Sequence, residues 1–242
     1  MIDTAQCEGI SLNIQQWNAW LPGVVGPAAC AQWAEGALAL DLEAKPDVSA
    51  VPSMLRRRLN GVGRLVATVL WDMVPQASRV PMVFCSRHGD QARTLQLMAE
   101  LAADEPLSPA AFSMSVHNAV AGVLSIAKKA DGPMTALAAQ DHLVSTGLLE
   151  AWGQLQQGAD EVLVVAYDMP LPDTYEHGVC VEPPFALALR VTLAAGQKIA
   201  GNWHSTQEPC PQHEGVEWLR WLASDRRELT LGGESQGWHW LK

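Results

Sequence analysis

Two uninterrupted apolar runs, residues 80–85 and 162–166, restrict this chain more than any other feature. Each is long enough for a strand and too short for a helix. A strand without polar alternation must be covered on both faces, as parallel strands between helices are. A third strand is expected over residues 134–139. Between it and the 162–166 run, Val144, Leu148, Ala151, Trp152 and Leu155 recur at helical spacing, so residues 142–157 read as a helix. The unit from Met134 to Ala166 thus predicts a parallel, right-handed crossover.

Weaker signals surround it. A short strand is expected over 11–14 before a Trp-rich loop, and Pro52 should open one helix carrying Leu55, Leu59, Val62, Leu65, Val66, Val69 and Leu70 inward. Helices are expected over 90–103 and, rich in small residues, over 118–130. Ser108 has the place of an N-cap with Pro109 at the first helical position. A strand over 185–194 and a helix over 217–223 precede the tail Trp238-His239-Trp240. This order predicts one α/β domain over residues 1–242, layered α/β/α around a mixed, mainly parallel sheet.

Composition narrows the functional classes. The net charge of −10 gives no electrostatic reason to bind nucleic acid or an anionic membrane surface. The only basic run, Arg56-Arg57-Arg58, reads as a solvated helix face. No apolar run is long enough to span a bilayer and no leader pattern opens the chain, so membrane insertion is not expected. Five cysteines, odd in number and without a CxxC pair, read as reduced thiols of a cytoplasmic protein.

Local constellations suggest chemistry of other kinds. Phe84-Cys85-Ser86-Arg87-His88-Gly89-Asp90 puts a thiol, a hydroxyl and an imidazole at a strand end. An acyltransferase or hydrolase would use Cys85 or Ser86 as nucleophile and a His as base. Neighbouring residues of a strand point to opposite faces, however, so adjacency in sequence makes no dyad. His204 with Cys210-Pro211-Gln212-His213 falls short of a structural zinc set, and no metal is expected. No GxGxxG, P-loop or GxSxG sequence occurs, so no nucleotide cofactor is expected.

The run Leu107-Ser108-Pro109-Ala110-Ala111-Phe112-Ser113-Met114-Ser115-Val116-His117-Asn118, followed by Gly132-Pro133-Met134-Thr135-Ala136-Leu137-Ala138-Ala139-Gln140-Asp141, resembles the N-terminal half of β-ketoacyl synthases. That resemblance implies a thiolase-like fold, of which this chain would be one α/β/α half. In the family, Gly-Pro opens a strand that delivers a nucleophilic Cys to a long helix. Counting from Gly132-Pro133, and back from Gly158, the Cys position falls on Asp141, with Gln140 beside it. The His-Gly-Thr motif and the later Gly-rich loop that carry the family's two catalytic His are not found.

The resemblance therefore implies no catalytic residues and a degenerate nucleophile at Asp141. It implies a subunit similar to the chain length factors of type II polyketide systems and, most closely, to truncated relatives in aryl polyene clusters. In chain length factors a Gln is thought to mimic a bound acyl carbonyl, a part Gln140 could play. The expected partner is a full-length β-ketoacyl synthase in a heterodimer, with acyl carrier protein meeting the pair indirectly. The dimer would form along residues 134–139, making Met134, Ala136 and Ala138 interface residues. Phe112, Met114, Val116, Asn118 and His142 complete the candidate acyl-tunnel and interface set. A homodimeric scaffold that needs no ketosynthase is the remaining reading.

Overall fold

The computed structural model describes residues 9–172, 174–175, 183–206, 214–233 and 235–242. Its first strand, β1 (Ile10–Leu21), is longer than expected. The stretch around Trp17 and Trp20 continues the strand because it pairs with a later strand from Asn13 to Trp20, with an irregularity between Ile14 and Gln16. Gly23, at φ 78°, then turns the chain back into β2 (Val24–Val25), which pairs with β1. Helix α1 (Gly26–Ala34) follows.

The helix expected after Pro52 is two helices, α2 (Ser53–Arg56) and α3 (Gly61–Leu70). Asn60 makes the break: its side chain accepts a hydrogen bond from the Gly63 amide and caps α3. Strand β3 (Met82–Ser86) leads to α4 (Gln91–Ala102), capped by Asp90. Ser108 caps α5 (Pro109–Ser113) as expected, its hydroxyl accepting from the Ala111 amide. After α6 (Ala119–Lys128) come β4 (Met134–Ala138), α7 (Leu143–Gln156) and β5 (Val162–Asp168). The remaining elements are β6 (Phe185–Thr192), β7 (Gln197–Ser205), α8 (Glu214–Leu222), β8 (Glu228–Leu231) and β9 (Gln236–Leu241).

The nine strands of the described residues join one mixed sheet in the order β4-β3-β5-β6-β1-β7-β9-β8, with β2 beside β1. Strand β3 is parallel to both β4 and β5, so the crossover through α7 passes over β3 and joins strands that are not neighbours. The expectation of a mainly parallel sheet needs correcting: every other pairing is antiparallel. Parallel neighbours need a covering crossover, and after β5 the described chain supplies only α8.

The layering follows from alternation along the central strands. On β5, Val162, Val164 and Ala166 enter the core under α7 and α8, while Leu163, Val165 and Tyr167 enter the core under α3 and α6. Strand β6 sends Phe185, Leu187, Leu189 and Val191 to the first core but only Ala186 and Ala188 to the second, which lets α3 approach closely. The tail is not a loose end. It is strand β9, and Trp240 stacks on Trp238 (5.3 Å between ring centroids) and meets Trp218 edge-on at 5.0 Å.

Candidate functional site

Strand β4 closes one end of the sheet order and has no neighbour beyond it among the described residues. Met82 lies opposite Met134, and its amide donates to the Pro133 carbonyl at 2.9 Å. Backbone groups along a strand point alternately to its two sides, so Thr135 and Leu137 turn theirs toward β3. The N–H and C=O groups of Met134, Ala136 and Ala138 therefore face outward. The side chains alternate in step. Thr135 meets Glu150 and Gln154 of α7, whereas Met134, Ala136 and Ala138 are exposed. Free backbone groups and an uncovered, uncharged face thus coincide on one strand, an arrangement that invites another strand.

Beyond β4 the chain turns sharply through Gln140, Asp141 and His142 into α7. His142 adopts the left-handed conformation (φ 56°, ψ 40°), which costs a non-glycine residue about 1–2 kcal/mol and needs surrounding structure to hold it. That structure is the C-terminal unit. His142 Nε2 lies 3.2 Å from the Gln236 carbonyl, and the Trp203 ring packs edge-on at 6.1 Å. Leu143, the first residue of α7, donates its amide to Glu214 Oε2 at 2.6 Å. Gln140 and Asp141 point into solvent.

The candidate residues separate accordingly. Phe112 (61% exposed) and Val116 (48%) are exposed apolar side chains, and Met114 is half-buried. His142, expected at the interface, is buried against β7 and β9, because the C-terminal strands cover the elbow. Asn118, of the same candidate set, makes no side-chain capping bond and is exposed, while its carbonyl accepts from the Gly122 amide. The loop is fixed by its neighbour. His117 Nε2 sits 2.7 Å from Ser86 Oγ, at the end of β3 and directly opposite Ala138 of β4. The loop that follows Phe112, Met114 and Val116 is thereby tied to the end of β3, the neighbour of the open edge.

Sequence proximity could not reveal the Ser86–His117 pair, which spans a strand end and a helix-to-helix loop. The Ser86 end of the pair is closed off from solvent. Ser86 has no exposed surface, and its hydroxyl also accepts from the Gly89 amide (3.0 Å) and hydrogen-bonds the Tyr167 hydroxyl. Ser86→Ala should cost about 1–3 kcal/mol by stranding these partners, measured by urea unfolding. A stability change near zero would show that the network carries no weight.

Cys85 is equally withdrawn. Burial, reinforced by the carboxylates of Glu150 and Glu214, pushes its thiol up to about 12, so it stays protonated at neutral pH. Iodoacetamide at pH 7 should therefore spare Cys85 in the folded protein. Labelling as fast as in a denatured sample would restore the acyltransferase reading. Among the described residues no group of three or more His, Cys, Asp or Glu could hold a metal ion; Cys210 and His213 lie outside them, as do Cys7 and Cys180. No helix of the described residues is long and apolar enough to cross a membrane.

Comparison with known proteins agrees with this architecture. The family described as "Beta-ketoacyl synthase, N-terminal domain" matches residues 30–241. The chain is similar in structure to the ketosynthase ApeO in complex with its chain length factor ApeC from Xenorhabdus doucetiae. The TM-score is 0.85 and the identity 27%, over 96% of this chain and 100% of that one. It is also similar to the ishigamide ketosynthase/chain length factor, with a TM-score of 0.64 and 17% identity over 81% of this chain and 68% of that one. A β-ketoacyl synthase from Burkholderia phymatum shares the fold at a TM-score of 0.60 and 11% identity, over 89% and 71% of the two chains. No curated protein sequence matches. The fold is thiolase-like, as the resemblance implied.

Proposed function

Because the chain belongs to the β-ketoacyl synthase N-terminal domain family, we propose that it is a non-catalytic subunit of chain length factor type. It pairs with a full-length β-ketoacyl synthase. The observation that carries this reading is the open edge of β4, where outward backbone groups coincide with exposed Met134, Ala136 and Ala138. Antiparallel pairing with the matching strand of a synthase would run one sheet through both subunits. Phe112, Met114 and Val116 would then border the boundary where an acyl chain ends.

The chemistry at the elbow supports a role without turnover. Condensation needs a thiolate to hold the acyl chain and two imidazoles for decarboxylation and enolate stabilisation. At the nucleophile position stands Asp141, an exposed carboxylate whose attack on a thioester would yield a reactive anhydride. Gln140, next to it and also exposed, can donate to an acyl carbonyl without forming a bond to it. Acyl carrier protein would dock mainly on the synthase, since this chain carries a net charge of −10. The pathway class is that of aryl polyene and type II polyketide assembly, by likeness to the ApeO–ApeC pair, and the compartment is the cytoplasm.

The deciding experiment is co-expression with a full-length β-ketoacyl synthase, followed by native mass measurement and reconstituted chain extension. One copy of each subunit is expected, with no condensation by this chain alone, including its Asp141→Cys variant. A stable homodimer that ignores the synthase would favour the scaffold reading. Chain extension by the isolated protein would overturn the proposal outright.

A further inference from the structure

The N-terminus of α7 is occupied by one of the chain's own carboxylates. Glu214 is 1% exposed, and its Oε2 accepts from the Leu143 amide at 2.6 Å. It is also the first residue of α8, so the 9-residue α8 delivers a carboxylate to the N-terminal end of the 14-residue α7. The partial positive charge of that end helps a buried anion persist. The placement is tightly built. At Gly215 any Cβ would come within 2.5 Å of the Phe185 ring, so α8 lies hard against β6 and fixes its first turn. Trp240 Nε1 donates to buried Ser145 Oγ at 3.0 Å, anchoring β9 to the same turn of α7.

We infer that Glu214 is a built-in anion that spends the α7 N-terminus internally and withholds it from any group at position 141. A thiol beside a free helix N-terminus is acidified and reactive. Here the C-terminal unit supplies the negative charge instead, so the elbow is closed from within as well as stripped of its cysteine. The inference rests on the reading that Asp141 stands at the nucleophile position, but it concerns only this chain. Restoring the cysteine would not restore its reactivity while Glu214 is in place.

The test is iodoacetamide labelling at pH 7 of the isolated, folded chain, read on the peptide that carries position 141. Asp141→Cys should label no faster than an unstructured peptide thiol. Asp141→Cys with Glu214→Gln should label about threefold faster or more, the net gain when a pKa falls by about one unit and nucleophilicity drops with it. Asp141→Cys with Glu214→Asp keeps the charge and should stay slow. Equal rates with and without Glu214→Gln would overturn the inference, as would a fast Asp141→Cys single variant. Should Glu214→Gln fail to fold, two measurements still decide: the single-variant rate, and hydrogen exchange at the Leu143 amide of the unaltered chain. That amide should exchange as slowly as the buried turns of α7, and exchange at the rate of a free helix end would refute the cap. Because no synthase is present, the outcome is independent of whether the heterodimer forms.

Discussion

Ala136→Pro should abolish the complex with a ketosynthase and leave the isolated chain folded. The two outcomes separate because Ala136 turns its N–H away from β3: the substitution removes no bond of the existing ladder. An edge strand tolerates proline on its outward side, whereas a strand that must pair there does not. The incoming strand would lose a hydrogen bond and meet the pyrrolidine ring at a spacing of about 4.8 Å. A loss of affinity of about a hundredfold or more is expected by titration calorimetry, with the unfolding midpoint of the free protein nearly unchanged. Asp141→Asn, which alters charge without touching the edge, should bind normally. Unchanged affinity of the proline variant would move the interface elsewhere.

Trp240→Ala should be the most damaging single truncation in the C-terminal unit. Its ring is fully buried, stacked on Trp238 and edge-on to Trp218, and its indole N–H is bonded to Ser145 of α7. Loss of the ring leaves a large cavity and an unpaired hydroxyl, together about 3–5 kcal/mol. For a chain of this size that corresponds to a fall in midpoint of roughly 10 °C. Trp203→Ala, at a ring 44% exposed, should cost far less. Calorimetric melts that rank the two equally would mean that β9 is not the element holding the unit to α7.

The parallel unit was legible because its signals are local. Continuous apolar runs mark β3 and β5, a helical period marks α7, and Ser108-Pro109 mark the start of α5 by chemistry within one turn. The antiparallel part was not. Gln15 and Gln16 interrupt the apolar pattern of β1 at the irregularity in its pairing, so the strand looked as if it ended at Ile14. Strand β7 alternates weakly, and Trp238-His239-Trp240 has too little context to be told from a tail. Pairing order between distant strands leaves no trace in a single sequence.

The site divided along the same line. The turn that holds Asp141 could be placed by counting along the strand and the helix, since both lengths are fixed by local geometry. His142 could be found but not oriented, because what buries it arrives from β7 and β9. Glu214 and the Ser86–His117 pair were invisible for the same reason. Each joins residues that only the folded sheet brings together.

The position of β1 governs when this protein can become whole. The earliest of the described strands in chain order, it lies between β6 and β7 and, among the described residues, links the β4-β3-β5-β6 group to the β7-β9-β8 group. Its partners reach as far as Thr192 and Gly201, so most of the chain must leave the ribosome before the sheet can join. Contacts so distant in sequence make for slow folding. Meanwhile the first strand has only the two-residue β2 beside its end, and Ile10, Leu12 and Ile14 wait uncovered. A cut within β1 would leave two half-sheets with no common seam among the described strands.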